Sequence, residues 1–554
     1  MTEYIANLIA KATGEGEARV TIPENPDHGH YTTNLALVVA KEKGMKPREA
    51  AEAMRDEIVR KSKKGIFQKI EIAGPGFLNF FLSEKALEAE ISRAIKEKGG
   101  YGTAKAGKGK VAIVEFSSPN IAKPMSVGHL RSTVIGDALA NLLRSQGYRV
   151  ITDNHLGDWG TQFGKLIYAW KNWRDEEVFK KAPIKHLTDL YIRFHKEAEK
   201  DEGLEDIARE ETAKLQRSDK ENARLWKIFV RESAKEFNKI YKRLGIKFDL
   251  SLGESFYEPM LAGIVLDALN KGIARENEGA IKIFFEDGKP LPPQVIEKSD
   301  GAHLYPTTDL ATIKYRAKKY RPAKVLYVVA NEQALHFEQV FRAALMLGYI
   351  PKGSELTHVK FGMMLGESGK KFSTRKGEFI ALQELLDRAV SEAALINKES
   401  AEKVGVGAIK YYDLSHYRMS DISFNWDAVL DLKGNSAPYL QYTYTRFRSV
   451  IKKAVGVRRL VNLAMISTEA EKRLVDLLIH YPDAVRYAAE KYEPNHLTDY
   501  LFRLSNAANG FYEACPIIGA ESKIAAARLA LVEATTIVIK NGLKLLGIEV
   551  MEKM

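Results

Sequence analysis

The sequence predicts an α/β fold with a parallel sheet at its centre, a small α+β domain before it and an all-α bundle after it. A strand–turn–helix–strand run near residues 110–154 predicts the sheet, and a second strand pattern at 325–330 predicts that the sheet continues. The nearly all-helical pattern from about residue 403 onward predicts the bundle. With 554 residues, the chain is also too long for a single hydrophobic core, so several domains are expected.

The first unit is predicted to cover residues 1–108. Helical spacing of apolar residues occurs at 48–61, and strand patterns occur at 69–74 and 77–82 with a Gly-Pro-Gly break between them. The stretch 96–110 is rich in Gly and Lys and has no apolar face, so it is predicted to be a linker.

The central unit begins with a short apolar strand at 111–116, a type that is buried in parallel sheets. Apolar residues then recur at helical spacing between Leu130 and Leu143, and Gly147 is placed to end that helix. The next strand pattern is at 148–154. This is a βαβ unit, so the central domain is predicted to be Rossmann-like.

The central domain is predicted to span residues 109–402. It contains a highly charged helical segment at about 171–245, which is interpreted as a helical insertion. Residues 403–554 are predicted to form the all-α bundle, with a long amphipathic helix near the end.

Composition narrows the class of protein. Hydrophobic residues make up 45% and charged residues 28%, as in globular proteins. The net charge of +12 suits a polyanion such as nucleic acid, although a solvated basic surface explains it about as well.

Cysteine and apolar patterns bear on the compartment. The only cysteine, Cys515, excludes a disulfide framework and a cysteine metal site, and it favours a reducing, cytoplasmic compartment. We expect no signal peptide and no membrane span, because no apolar run reaches the required length. The histidines are scattered, so no metal cluster is expected.

The turn before the first central helix is a candidate anion site. Pro119, Pro124 and Gly128 shape a loop that enters the helix near His129. Helix N-termini present free N–H groups, His129 can donate to a phosphate, and Lys123 adds a positive charge. The alternative is a helix-capping histidine beside a solvated lysine, and composition alone favours that alternative.

The longer sequence around this turn favours the anion site over the helix-capping alternative. The run SSPNIAKPMSVGHLRSTVIGDAL (117–139), followed by NHLGDWGTQFG (154–164), closely resembles the first signature of class I aminoacyl-tRNA synthetases, in the form found in arginyl-tRNA synthetases. The resemblance extends over essentially the whole chain. One position departs from it, because Ser126 stands where the first signature histidine is expected. A hydroxyl can donate a hydrogen bond but cannot carry charge, so a weaker phosphate or carboxylate contact with retained activity is expected there.

The second signature of this class is matched by GKKFSTRKG (369–377), with Thr374 in place of the usual second lysine. The resemblance implies that Lys123 compensates for that lysine, and negative charge developing on pyrophosphate does require nearby cations. The alternative is a solvated basic loop. The resemblance implies catalytic roles for Lys123, Ser126, His129, Lys371 and Arg375, and ATP binding by Gly128, His129, Lys371 and Ser373.

An acidic pocket is predicted for the amino acid. Glu115 ends an apolar strand, where an unpaired acid is costly, and Asp309 follows Tyr305 by four residues. A guanidinium group needs such carboxylates, which argues against a glutamyl, cysteinyl or glutaminyl specificity. The alternatives are a core position for Tyr305 and a helix N-cap for Asp309. The resemblance implies that arginine is bound by Glu115, Asn120, Tyr305, Asp309 and Gln333.

Two segments are candidates for RNA binding. The resemblance implies that Asn79, in the first unit, contacts the D-loop at the tRNA elbow, whereas the alternative is an ordinary edge-strand asparagine. The segment 436–453 combines aromatic and basic residues, a pattern that can stack on loop bases and meet phosphates. The alternative is an aromatic core. The resemblance implies anticodon contacts by Tyr439, Tyr442, Tyr512 and Met554.

Together these features predict ATP-dependent ligation of L-arginine to tRNA(Arg) through an arginyl-adenylate, with Mg²⁺ arriving with ATP. The resemblance also implies a monomer. One alternative is a non-catalytic tRNA-binding or arginine-sensing protein, which the replacements at Ser126 and Thr374 would suit. Another is a class I synthetase for a different amino acid.

Overall fold

The structure is a computed structural model, and it describes residues 1–14, 19–286, 288–366, 380–454 and 456–553. Four residues with predicted roles lie outside the described residues: Lys371, Ser373, Arg375 and Met554.

The first unit is α+β, as predicted. Its helices are α1 (Thr2–Thr13), α2 (Leu35–Lys43), α3 (Pro47–Lys61) and α4 (Glu84–Glu97), and its strands are β1 (Tyr31–Thr33), β2 (Phe67–Ala73) and β3 (Phe77–Leu82). The antiparallel sheet has the order β1-β3-β2, so β3 is central. Ile5, Ala51, Ile58 and Phe80 are fully buried between the helices and the sheet.

The central βαβ unit is also confirmed. It consists of β4 (Val111–Glu115), α5 (Gly128–Ser145) and β5 (Arg149–Asp153). Strands β4 and β5 pair in parallel. Gly147 has φ 88°, a left-handed conformation that glycine adopts freely, so it reverses the chain just after α5 as expected.

The predicted insertion is helical. Within the predicted bounds of about 171–245 lie α7 (Glu176–Lys181), α8 (Pro183–Ala198), α9 (Gly203–Gln216) and α10 (Lys220–Leu244), and α6 (Gln162–Trp173) begins before these bounds. Asp175 and Asp219 cap α7 and α10 by accepting backbone N–H groups.

The chain then forms elements that the sequence did not predict. A short helix α11 (Glu254–Tyr257) and α12 (Leu261–Asn270) precede an antiparallel sheet of β6 (Ala274–Asn277), β7 (Ala280–Phe285) and β8 (Leu291–Glu297). These strands are short, and their alternation of buried and exposed residues is irregular, which explains why the pattern was weak.

The remaining central elements complete the main sheet. They are α13 (Tyr305–Tyr320), β9 (Lys324–Ala330), α14 (Ala334–Met346), β10 (Glu355–Phe361), β11 (Met364–Leu365) and α15 (Leu382–Ile396). The parallel sheet has the order β10-β9-β4-β5. The strand order reverses between β4 and β9, and ligands bind at the carboxyl ends of strands beside such a reversal.

The last part of the chain is the helical bundle. It contains α16 (Ala401–Leu414), β12 (Ile422–Ser423), α17 (Trp426–Val429), α18 (Ala437–Lys453), α19 (Glu469–Ile479), α20 (Tyr481–Lys491), α21 (Asn495–Ala514) and α22 (Ser522–Leu545). The two-residue strand β12 pairs in parallel with β11 and so ties this part of the chain to the central domain. Within the described ranges, no helix combines the length and apolar character needed to cross a membrane.

Candidate active site and RNA-binding surfaces

The turn between β4 and α5 is held in a strained conformation by other elements. Ser117, Ser118 and Ala122 have positive φ angles of 72°, 46° and 61°. Non-glycine residues keep such angles only where their surroundings enforce them. Here the Ser117 N–H donates to Ser132 Oγ of α5 at 2.9 Å, and the Ser118 N–H donates to Asn154 Oδ1 at 3.1 Å. The turn therefore has a fixed shape.

His129 is a neutral donor at the start of α5. Its Nδ1 lies 3.0 Å from the backbone N of Ser126, and because a backbone N–H can only donate, Nδ1 is the acceptor. Burial lowers the pKa of His129, which favours the neutral ring. The proton is then on Nε2, which leaves an N–H group to donate to a ligand. His129 is thus at a helix start, as the capping alternative requires, and still offers a donor.

The chain that follows the second signature returns directly to the first. The Leu382 N–H donates to Met125 O at 2.8 Å, and the Val127 N–H donates to Ile380 O at 3.3 Å. Ser126 forms an antiparallel bridge with Ala381. Residues 369–377 lie outside the described residues, but the segment after them is joined to the turn that carries His129.

Glu115 is paired with an arginine of the chain itself. Arg316 Nη2 lies 2.6 Å from Glu115 Oε2 and 2.8 Å from Asp153 Oδ2, and all three side chains are buried. The acid at the end of β4 is therefore paired, as its burial demands. A substrate contact by Glu115 would have to share this carboxylate with Arg316.

Two predicted pocket residues lie on α13, and neither fits its alternative role: Tyr305 is not a core residue, and Asp309 is not a helix N-cap. Tyr305 is 68% exposed at the first position of the helix, whose N-cap is Leu304. Asp309 lies one turn inside the helix, where its Oδ2 is 2.6 Å from His336 Nε2. Gln333 ends a short 3-10 helix just after β9 and is exposed.

The acids of this region share one environment. Tyr327, on β9, is fully buried, and its pKa is raised, first by burial and also by the negative charges of Glu115 and Asp309. Glu115, at the end of β4, is opposite Tyr327 in the parallel register, and Asp309 lies on the helix α13.

Glu254 is a further acid of this pocket that the sequence did not reveal. Its pKa is raised to about 8, mainly by burial and then by the charges of Asp158 and Asp309. Asp158 accepts hydrogen bonds from both the backbone N–H and the hydroxyl of Ser255, at 2.9 and 2.7 Å. A cluster of partly desolvated carboxylates suits a cationic ligand. Glu254 was missed because α11 is a single turn without usable periodicity.

Asn120 lies against the loop 154–164, which carries the second part of the family resemblance. The Gly157 N–H donates to Pro119 O at 3.2 Å, and the Ile121 N–H donates to Gly157 O at 3.3 Å. A Cβ atom at position 157 would lie 2.0 Å from Asn120 Oδ1, so only glycine leaves room for that side chain.

Asn79 lies in β3, the central strand of the first sheet, and not on an edge. It is 4% exposed, and its Oδ1 accepts a hydrogen bond from Thr32 Oγ1 at 2.7 Å. A base contact by Asn79 would therefore have to be made from a largely covered position.

The bundle presents an exposed aromatic and basic surface on α18 and α21. The Arg446 guanidinium lies 4.7 Å from the ring centroid of Tyr442 and 4.9 Å from that of Tyr512, and both tyrosines are 40% exposed. Tyr439 is half-buried, and its hydroxyl donates to Asn506 Oδ1 at 2.7 Å. Tyr442 and Tyr512 are thus surface residues, whereas Tyr439 is partly engaged in packing.

No cluster of three or more His, Cys, Asp or Glu side chains suited to a metal ion occurs among the described residues.

Family models match most of the chain in three segments. Residues 90–426 match the catalytic domain described as "tRNA synthetases class I (R)", residues 1–82 match the arginyl-tRNA synthetase N-terminal domain, and residues 440–554 match the DALR anticodon-binding domain.

Known proteins are similar over the full length. An arginine–tRNA ligase from Fusobacterium nucleatum is 42% identical, with 97% of this chain and 95% of the relative covered. One from Clostridium botulinum strain Loch Maree is 41% identical, with 99% of each covered. The crystal structure of Plasmodium falciparum arginyl-tRNA synthetase superposes with a TM-score of 0.83 at 28% identity, covering 100% of this chain and 99% of that one. The Thermus thermophilus arginyl-tRNA synthetase has the same fold, with a TM-score of 0.85 at 24% identity over 100% of both chains. The resemblance is confirmed, and the chain belongs to the arginyl-tRNA synthetases, a family of class I aminoacyl-tRNA synthetases.

Proposed function

We infer that this protein attaches L-arginine to tRNA(Arg) with ATP, through an arginyl-adenylate, and releases AMP and pyrophosphate. The observation that carries the inference is the site at the carboxyl ends of β4 and β9. There the chain that follows the second signature pairs with the turn at the start of α5, beside a cluster of carboxylates.

Activation is in-line attack of the arginine carboxylate on the α-phosphate of ATP, and it needs no enzyme nucleophile. Catalysis then depends on positioning and on charge stabilisation. His129 donates its Nε2–H to a phosphate oxygen, the N-terminus of α5 at Gly128 faces the anion, and Lys123 supplies a cation. Lys371, Ser373 and Arg375 would act from the second signature.

Arginine recognition uses charge complementarity. Asp309 and Glu115 meet the guanidinium, Asn120 and Gln333 hold the α-amino end, and Tyr305 borders the pocket. Support comes from the acids around Glu254, whose pKa is raised by burial and then by the charges of Asp158 and Asp309, since a cation relieves the cost of clustered, partly desolvated acids.

The arginyl group then passes to the 2′-hydroxyl of the terminal ribose of the tRNA. Tyr442 and Tyr512 with Arg446 form a surface on which unstacked anticodon bases can stack. We propose that Tyr439 and Met554 also contact the anticodon and that Asn79 contacts the tRNA elbow. The net charge of +12 favours association with a polyanion.

Mg²⁺ is proposed to arrive with ATP, because this ion needs few protein ligands when phosphates and water supply the others. We propose a monomer acting in the cytoplasm, on the basis of the family resemblance and of the single cysteine, Cys515.

The test is exchange of labelled pyrophosphate into ATP in the presence of tRNA(Arg), with arginine compared against lysine, glutamine and glutamate. Of these four amino acids, only arginine is expected to support exchange. Exchange with another amino acid would indicate a different specificity, and tRNA binding without exchange would indicate a non-catalytic protein.

His129→Ala should lower the rate by the equivalent of about 2–4 kcal/mol of transition-state stabilisation, as loss of an oxyanion donor does. Ser126→Ala is the matched control. It keeps the backbone N–H that fixes the His129 tautomer, so a fall of less than about fivefold is expected, the loss of one neutral hydrogen bond. Unchanged aminoacylation in His129→Ala would contradict the role of this residue.

A further inference from the structure

The helical insertion lies against the signature turn. Ala122, in the middle of the turn, donates its N–H to Ser233 Oγ of α10 at 2.8 Å, and its carbonyl accepts from Thr188 Oγ1 of α8 at 3.3 Å. At the other end of the turn, Tyr241 of α10 and Ser117 share a hydrogen bond of 2.8 Å. Helices α8 and α10 therefore form one wall of the site.

Lys123, the next residue of the turn, is directed onto that wall. Its Nζ lies 4.6 Å from the ring centroid of Tyr191 on α8. The Tyr191 ring is half-buried and meets His195 edge to face at 4.6 Å, so its orientation is fixed by its own helix.

An aromatic face holds a cation in a way that suits this site. Within the part of the chain that the structure describes, Lys123 forms no ion pair, and its ammonium contacts the ring of Tyr191. A carboxylate partner would fix the ammonium but would also cancel its charge. The ring quadrupole attracts the ammonium and leaves its full positive charge available to an anion.

A lysine needs such a partner in order to act at a defined place. Its four-carbon stem is flexible, and an exposed ammonium samples many positions. Lys123 is exposed and follows a turn whose backbone is rigid, so the ring of Tyr191 is what limits the side chain.

We propose that Tyr191 is a positioning residue, which holds the Lys123 ammonium at the phosphate end of the site and gives the helical insertion a role in activation. This inference rests on the proposed function, in which Lys123 meets the negative charge of the phosphates.

The experiment compares three variants of the full-length protein in pyrophosphate exchange with arginine and tRNA(Arg). Tyr191→Leu removes the ring and should lower kcat roughly three- to tenfold, the range given by a partly desolvated cation–π contact. Tyr191→Phe keeps the ring face and should restore kcat to within about twofold of wild type. Ile192→Ala, at the next and 46% exposed position of α8, is the matched control for general damage to the helix.

A double-mutant cycle with Lys123→Ala separates positioning from a purely structural role. In the Lys123→Ala background, Tyr191→Leu should cause no further loss of kcat. If the two losses multiply, or if Tyr191→Phe is as impaired as Tyr191→Leu, the proposal is overturned. If Tyr191→Leu lowers the thermal midpoint of unfolding, Tyr191→Met replaces it in the cycle, because it fills the space without a ring.

Failure of the proposed function gives a different pattern. Wild-type protein without arginine-dependent exchange would contradict the function itself. Active wild type with an unimpaired Lys123→Ala variant would remove the role of Lys123, and the role of Tyr191 with it.

Discussion

The backbone N–H of Ser126 fixes the neighbouring signature histidine, His129. The sequence directs attention to the lost charge of the first histidine. In the structure, the Ser126 N–H sets the His129 tautomer, and every residue except proline supplies that group. The serine hydroxyl adds a second contact to the same nitrogen at 3.1 Å. Residue patterns show which side chain differs, but they do not show what the backbone at that position contacts.

Glu254 should make stability depend on pH. Its pKa is about 8 in the folded protein, against an ordinary value of 4.5, so the folded state binds the extra proton between these values. The free energy of unfolding should therefore fall as the pH rises from 4.5 through 8, with a slope of at most about 1.4 kcal/mol per pH unit. Glu254→Gln should remove this part of the slope in urea denaturation between pH 6 and 9.

Glu276→Gln, at an exposed position of β6, is the control and should leave the slope of the wild type. Parallel stability curves for wild type and Glu254→Gln would show that the carboxylate is already ionised in the folded protein.

Elements with long periodic patterns could be predicted, and short ones could not. The strand β4 and the helix α5 have sustained apolar patterns, and both were confirmed. The strands β6 to β8, the two-residue β12 and the one-turn α11 carry too few residues for a period to emerge. The pocket residue Glu254 lies on one of these short elements. Glu115, at the end of β4, and Tyr305, at the start of α13, lie on longer elements. Their roles in arginine binding were implied by the family resemblance.

The contact between two loops predicts an effect of Gly157→Ala on the arginine site. The added methyl group would lie 2.0 Å from Asn120 Oδ1, so Asn120 must leave its position. If Asn120 holds the α-amino end of arginine, the KM for arginine should rise about tenfold, the equivalent of one lost hydrogen bond to a charged group. Steady-state exchange at varied arginine concentration measures this.

Gly263→Ala provides the control, because a Cβ atom there, in the helix α12, has no atom within 4 Å. Its KM for arginine should equal that of the wild type. An unchanged KM in Gly157→Ala would mean that the displaced Asn120 does not bind the substrate.

At the scale of the molecule, the first domain packs against the last. Helix α4 contacts α19 and α22, and Asn541 of α22 donates to Lys98 O at 2.7 Å. Composition and periodicity can divide the chain into three parts. They cannot show which parts touch, because residues more than 400 positions apart leave no local pattern.

The same junction contains a cleft of about 1810 Å³. Its walls come from both domains and include Arg19, His30, Lys472, Arg473 and Arg503. None of the residues predicted to bind arginine or ATP lines it. This cleft is thus a feature of the packing between the first and last domains.

The domain junction should depend on one buried hydrogen bond. Tyr31 of the first domain is fully buried, and its hydroxyl donates to Asp483 Oδ2 of α20 at 2.9 Å. Burial, and then the charge of Asp483, raise the pKa of Tyr31 well above its ordinary value, so the hydroxyl remains a donor at every working pH. Tyr31→Phe leaves the buried carboxylate with one donor fewer, which should cost about 1–3 kcal/mol. Urea denaturation measures this loss, and hydrogen exchange should show faster opening within residues 1–108.

Tyr4→Phe is the control. The Tyr4 hydroxyl accepts from the Lys63 N–H at an exposed position, so its removal should change stability by less than about 0.5 kcal/mol. Equal stabilities of the two variants would mean that the Tyr31–Asp483 bond does not contribute to holding the two domains together.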